Sequence, residues 1–156
     1  IKQKMRLTKN LFLVSVLFFS CQNKVFEDYR SFENQKWPSD SSVVFTHKVT
    51  DTISKNRITI KVRHTTDYEF QNLFLFVKTN KTDTVELVLA NKEGRWLGKG
   101  VGDIRELDYV YEKEKKFLEK KVFVFEIEQA MRYGEVDKIK ELENIQAVGI
   151  TIDKHD

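Results

Sequence analysis

One cysteine, one proline and three histidines are all that 156 residues hold of these types. A single cysteine closes no disulfide within the chain, which removes the stapled scaffolds of small exported proteins. None of His47, His64 and His155 stands at a metal-ligand spacing from another, so the pattern offers no zinc site. Neither G-x-S-x-G nor H-E-x-x-H occurs. Residues 1–20 contain no acidic side chain, and the most apolar run, Leu11 to Phe19, is nine residues long. That is far short of the roughly 20 residues a membrane-spanning helix needs. There are no repeats and no low-complexity stretch. Aromatic side chains are 12% of the chain, which supports a packed core and excludes general disorder.

The formal charge is +3, from 27 basic and 24 acidic residues. Four of the basic residues, Lys2, Lys4, Arg6 and Lys9, precede the apolar run, so residues 21–156 carry 23 against 24, a formal −1. With both signs mixed along that part, composition indicates no broad basic face for nucleic acid or anionic lipid.

The first 20 residues have the layout of an export signal, with Met5 as the expected start. A positive segment to Asn10 precedes the apolar run, and Ser20 is the small residue before Cys21. The run Leu17-Phe18-Phe19-Ser20-Cys21 approximates a lipobox, though Phe18 and Phe19 are bulkier than the usual pattern. A lipoprotein signal requires cysteine because its thiol takes the diacylglycerol as a thioether, and it requires a small residue such as Ser20 at the cleaved bond. One acyl chain binds a membrane marginally and several bind it stably. The alternative is a buried cysteine in an N-terminal strand. The expected organisation is a signal over 1–20, an anchored linker over 21–40 and a folded domain over 41–156.

That domain reads as all-β, an antiparallel β-sandwich of jelly-roll type. Val43, Phe45, His47 and Val49 share one face, as do Ile58, Ile60 and Val62, then Val85, Leu87 and Leu89, then Leu107, Tyr109 and Tyr111, then Phe123, Phe125 and Ile127, and finally Val148, Ile150 and Ile152. Alternation with period two is the mark of a half-buried strand. Leu73 to Val77 is continuously apolar, as for a strand covered on both faces. Residues 54–56, 80–83 and 91–94 are turn-like and separate such runs. Asp137 to Glu143 is the one candidate helix, with Asp137 as its cap, and the sign-alternating stretches 112–116 and 119–121 read as a solvated hairpin or loop.

Four of the six glycines fall in Gly94-Arg95-Trp96-Leu97-Gly98-Lys99-Gly100-Val101-Gly102-Asp103. The spacing fits neither a phosphate loop, which would need a hydroxyl where Gly100 stands, nor a dinucleotide fingerprint. The plainer reading is a tight loop with positive φ angles packed against Trp96. The second is a partner- or ligand-facing patch built from Trp96, Lys99 and Asp103. Arg132, at the exit of the strand over residues 123–128, pairs an acid in the plain reading and recognises a partner in the other. Carboxylates are abundant enough that neighbouring pairs are expected by chance, so they point to no hydrolase. No catalytic residue, cofactor or metal ligand is identified. The aromatic content leaves open a carbohydrate- or peptidoglycan-binding jelly roll as an alternative function.

Several short motifs, taken in order, resemble one family. Trp96-Leu97-Gly98-Lys99-Gly100-x-Gly102-Asp103, Asn72-Leu73-Phe74-Leu75, Gln129-Ala130-Met131-Arg132 and Val148-Gly149-x-x-Ile152 are similar to the gliding-motility lipoprotein GldH of Bacteroidota. So are Asp28-Tyr29, Ser31-Phe32, Trp37 and Asp40-Ser41 after the lipid cysteine. His64 departs from the Asn expected after Arg63. The resemblance implies a non-enzymatic, lipid-anchored accessory of the gliding machinery associated with type IX secretion. It implies partners among those machinery proteins, membrane attachment through Cys21, no cofactor and no nucleic acid. Gln22, Asn23 and Lys24 lack the acidic cluster that sends such lipoproteins to the cell surface, so an outer-membrane anchor facing the periplasm is expected. Only Cys21 carries over with a stated chemical role.

Overall fold

The computed structural model describes residues 23–135 and 138–155. Residues 1–20, expected as an export signal ending at Ser20, lie outside the described residues, as do Cys21 and Asp137. The strands are β1 (Lys24–Ser31), β2 (Lys36–Pro38), β3 (Val43–Lys48), β4 (Asn56–Thr65), β5 (Asn72–Lys78), β6 (Thr82–Val88), β7 (Ile104–Lys115), β8 (Val122–Gln129), β9 (Glu141–Glu143) and β10 (Ile145–Lys154). They form two four-stranded antiparallel sheets, β1-β10-β4-β7 and β3-β8-β5-β6, and a small pair β2-β9. Among the strands of the two large sheets, each consecutive pair is split between sheets except the β5–β6 hairpin. That is the strand order of an eight-stranded jelly roll, the architecture expected from the alternation.

The inward faces are the predicted ones. In the first sheet Ile58, Ile60 and Val62 of β4 lie opposite Ile152, Ile150 and Val148 of β10, all fully buried. In the second, Val43 and Phe45 of β3 lie opposite Ile127 and Phe125 of β8, and Leu73 and Leu75 of β5 opposite Leu87 and Val85 of β6. Each such aliphatic side chain removed from water contributes about 1.5–3 kcal/mol before the opposing chain entropy is counted.

Four expectations are corrected. The stretch 21–40, expected as a linker, contains β1, paired with β10 from Lys24↔Asp153 to Ser31↔Ala147, and β2. As an edge strand β1 has one neighbour and keeps many charged side chains, which obscured its alternation, but Phe26 still packs on the core. Leu73 to Val77 is covered on one face only: Leu73, Leu75 and Val77 are buried, while Phe74 and Phe76 are half-buried on the outer face. No described layer covers that side of the sheet. The stretch expected as a helix contains β9 instead, with Leu142 opposite Trp37. Burying Leu142 beside that indole outweighs the weak local helical preference. Residues 112–115 end β7 rather than forming a loop, and Phe117 beyond them is buried.

The β2–β9 pair closes one end of the sandwich. Trp37 is fully buried, stacks on Phe32 at 4.7 Å and donates from its indole Nε1 to the Ser41 carbonyl at 2.9 Å. Because the strands are antiparallel, the molecule has two distinct ends. Asn23, the loops 49–55, 79–81 and 116–121, and His155 lie at one, here called the near end. The stretches 32–42, 66–71, 89–103, 130–135 and 138–144 lie at the other, the far end.

Candidate functional site

The glycine-rich loop sits at the far end, between β6 and β7. Asn91 builds its first turn: the side-chain Oδ1 accepts from the amides of Glu93 at 3.1 Å and Arg95 at 2.8 Å. Gly94 takes φ +78° there, a left-handed conformation that a Cβ disfavours. The chain then returns along β6, with Leu97 N–H donating to the Leu89 carbonyl at 2.8 Å, and crosses to β7, where Lys99 and Glu106 exchange backbone bonds of 2.9 and 2.7 Å. A Cβ on Gly98 would come within 2.7 Å of the Glu106 carbonyl oxygen, and one on Gly100 would overlap the Ile104 carbonyl. Gly102 closes the loop at φ +65°. Spacing had suggested positive φ for the run as a whole. It holds at Gly94 and Gly102, whereas Gly98 and Gly100 are required by close backbone approach.

This frame divides the candidate residues. Trp96 is half-buried against the core and its ring lies 4.6 Å from that of His64. Lys99 and Asp103 are exposed, and Leu97 and Val101 are 52% and 91% exposed on the same loop. Asp103 is held by its backbone, whose carbonyl accepts from Thr66 N–H at 2.7 Å, so its carboxylate is not needed to fix the loop. Arg132 is also exposed at the far end and lines a groove with Phe74, Phe76, Thr84 and Ala130. It forms no ion pair among the described residues, in contrast to the acid partner expected in the plain reading. No hydrogen bond or ion pair joins Arg132 to the Trp96 loop among the described residues.

His64 lies beneath the loop and sequence reasoning gave it no role. It is fully buried; its Nδ1–H donates to the Thr65 carbonyl at 2.8 Å, and its Nε2 has no hydrogen-bond partner among the described residues. A carbonyl only accepts, so Nδ1 carries the proton and Nε2 keeps a lone pair; the ring centroid lies 4.6 Å from that of Trp96 and 5.8 Å from that of Tyr68. Burial lowers its pKa below the ordinary histidine range, partly offset by the Thr65 carbonyl, and the charge of Arg105 lowers it further. His47, on the inward face of β3, is packed between Phe26 and Phe117 and is likewise lowered by burial.

The outer face of the first sheet carries a compact polar cluster. Lys61 bonds Asp108 at 2.8 Å and approaches Glu106 at 3.4 Å, and Arg63 bonds Glu106. Burial acts to lower the Lys61 pKa, but the bond to Asp108 and the neighbouring negative charges raise it overall. Each carboxylate here is held by a cation across the β4–β7 ladder. The described residues contain no group of three or more His, Cys, Asp or Glu side chains arranged to hold a metal ion.

The near end has a different character, which the composition of residues 21–156 did not disclose. The stretches 48–55, 79–82 and 115–122 carry seven lysines against Asp51 and Glu119, a formal +5. The described residues of the far-end stretches 32–42, 66–71, 89–103, 130–135 and 138–144 carry seven basic and nine acidic side chains, a formal −2. A mixed, near-neutral sequence thus folds into a molecule with ends of opposite sign, a local separation of charge on which composition is silent.

Residues 24–152 match the model of a family described as GldH lipoprotein. The chain is 37% identical over 149 residues to the gliding motility lipoprotein GldH homolog of Christiangramia forsetii, covering 90% of this chain and 91% of that protein. It is 36% identical over 154 residues to the gliding motility lipoprotein GldH of Flavobacterium johnsoniae, covering 94% and 95% respectively. No solved structure gives a significant match.

Proposed function

The chain belongs to the GldH lipoprotein family, and from that premise we propose that it is a membrane-anchored, non-enzymatic component of the gliding machinery, linked to type IX secretion and acting through protein contacts. Cys21 carries the lipid after cleavage at Ser20–Cys21, and the anchor is in the outer membrane with the domain facing the periplasm. The relatives' names as gliding motility lipoproteins support the role and the anchor.

The observation that carries the contact surface is the polarity of the sandwich. The described chain starts at the near end, where the Asn23 carbonyl accepts from Lys154 N–H at 2.7 Å, while Trp96, Lys99, Asp103 and Arg132 belong to the far end. A tether at Cys21 therefore leaves the far end turned toward the aqueous compartment and toward partners. Loops on a rigid β scaffold are common carriers of recognition. The exposed Leu97 and Val101, flanked by Lys99 and Asp103, combine an apolar contact with charges of both signs.

Replacing exposed residues tests this without touching the core. Lys99→Glu with Asp103→Lys, and separately Arg132→Glu, are expected to abolish gliding or secretion while leaving protein abundance and melting temperature unchanged. Wild-type motility in both variants would remove the far end as the contact surface. Cys21→Ser is expected to release the protein from the envelope fraction; retention there would remove the anchor.

A second reading rests on one further observation. Tyr133 is 70% exposed and lies 6.0 Å from Phe70 beside an open groove that Glu69, Lys138 and Glu141 also line. An exposed ring next to hydrogen-bonding side chains suits a sugar face. Saturable binding of peptidoglycan fragments that is lost in Tyr133→Ala would favour a glycan-binding module, and its absence would leave the protein-contact reading alone.

A further inference from the structure

The geometry points to the near end as a second membrane contact: its lysine-rich loops and apolar tips dock on an anionic lipid headgroup layer beside the Cys21 anchor. This rests on the reading of Cys21 as the lipidated residue. Three independent features converge on it.

The first is charge. Three loops far apart in sequence bring Lys55, Lys81, Lys116, Lys120 and Lys121 to one end against Asp51 and Glu119, within a part of the chain that is −1 overall. The strand ends around them add Lys24, Lys48, Arg57, Lys113, Lys115 and Lys154 against Asp83, Glu112, Glu114 and Asp153, so the basic excess grows. Several of the lysines pair with neighbouring acids, for example Lys55 with Glu114 at 3.0 Å and Lys121 with Glu119 at 3.0 Å. Such exposed pairs are weak in water and exchange readily for lipid phosphates. Lys48, Lys116 and Lys120 form no ion pair among the described residues.

The second is apolar exposure. Ile53 and Leu118, near the tips of two of these loops, are 84% and 85% exposed, and Val122 beside them is 56% exposed. Large aliphatic side chains bare to solvent and ringed by lysines have the composition of an interfacial membrane contact, in which apolar groups enter the headgroup boundary and cations meet the phosphates.

The third is the tether. Cys21 lies two residues before Asn23, a reach of at most about 7 Å of extended chain. Asn23 is held to the end of β10, and His155 N–H donates to the Lys55 carbonyl at 2.9 Å, so the chain exit is fixed to the lysine-rich rim. Acyl chains on Cys21 would hold these loops at headgroup depth, where attraction to anionic lipid acts within a Debye length. The anchor selects lipid over any other polyanion. Docking also gives the domain a fixed orientation, with the far end held outward on a rigid stalk instead of swinging on a flexible one.

The test uses the lipidated protein as purified from membranes, with its acyl mass first verified by mass spectrometry. It is reconstituted into vesicles of phosphatidylethanolamine containing about one-third phosphatidylglycerol, into phosphatidylcholine vesicles, and into neutral detergent micelles. Amine acylation is then read residue by residue. In anionic vesicles, Lys48, Lys116 and Lys120 are expected to react about threefold or more slowly than in micelles, with Lys92 and Lys99 at the far end unchanged. Salt at about 0.5 M is expected to restore the rates, as is Lys116→Glu with Lys120→Glu read at Lys48. Equal rates in anionic vesicles and micelles would overturn the docking, as would protection equally strong on phosphatidylcholine. A protein without acyl mass that stays in the aqueous phase would overturn the tether reading, and the docking proposal with it, a result distinct from either of those.

Discussion

The Tyr29 ring covers Gly149 across the β1–β10 pair, so closely that a Cβ on Gly149 would come within 2.5 Å of Tyr29 Cδ1. The ring is held there by the Arg63 guanidinium, 4.3 Å from its centroid, and by a 3.4 Å approach of its hydroxyl to the Glu106 carboxylate. An aromatic ring laid over a strand glycine shields exposed backbone and pins register. The pair links the edge strand nearest the chain exit to the polar cluster on β4 and β7. Gly149→Ala is expected to displace the ring and cost about 1–2 kcal/mol in urea unfolding. Tyr29→Ala in the same background should then cost clearly less than it does alone, since contacting residues are not additive. Strict additivity would show that the two do not act as a unit.

The glycine-rich loop separates a structural residue from surface residues one position away. Gly100→Ala places a methyl group against the Ile104 carbonyl, which belongs to β7 and has little room to move. A loss of about 1–3 kcal/mol is expected. Lys99→Ala, next to it and exposed, should stay within about 0.5 kcal/mol of the wild type. Equal melting temperatures for the two variants would mean that the loop does not close on β7 in solution.

His64 makes stability depend on pH in a definite direction. Its folded-state pKa is lowered by burial, so the unfolded chain, with an ordinary value of 6.5, binds the proton more readily. Stability is therefore full above about 6.5 and declines as pH falls below it. His47 is shifted the same way and adds to the slope. Carboxylates whose pKa is lowered by lysine partners, such as Glu114 and Glu126, act only in the more acidic range below the ordinary 4.5. His64→Gln should flatten the unfolding free energy between pH 6.5 and 5 relative to wild type. An unchanged slope would assign the whole effect to His47.

Trp37 is the largest side chain in the far-end cap. Trp37→Ala is expected to cost about 3–5 kcal/mol, through lost burial, lost stacking on Phe32 and the cavity left beside Leu142. Amide exchange should accelerate first in β2 and β9, which pair in a sheet with no other strand among the described residues. Uniform acceleration across all strands would show that the cap is not a separable unit.

The inward faces of the sandwich were legible because alternation is local: Val43, Phe45 and His47 declare a buried face wherever β3 ends up. The turn at Asn91 to Gly94 was legible for the same reason, since Asn and Gly carry their conformational preference with them. Elsewhere the signal was not local. The run from Leu73 to Val77 has no mark showing that one side lacks a covering layer, and β9 is a strand only because Leu142 finds Trp37, which lies 105 residues earlier. The candidate residues show the same division. Lys99 and Asp103 were singled out as candidates from their loop alone, whereas the packing of His64 required Trp96 to arrive from the loop after β6.

By itself, the sequence determined that the folded part is a β-sandwich, because that property follows from period-two patterning within short runs of contiguous residues. Only the tertiary structure decided that the molecule has a lysine-rich end and an acidic one. Antiparallel strands reverse direction at every connection, so loops at 48–55, 79–82 and 115–122 meet at one end while the intervening loops meet at the other. Charge that averages out along the chain is thereby sorted in space.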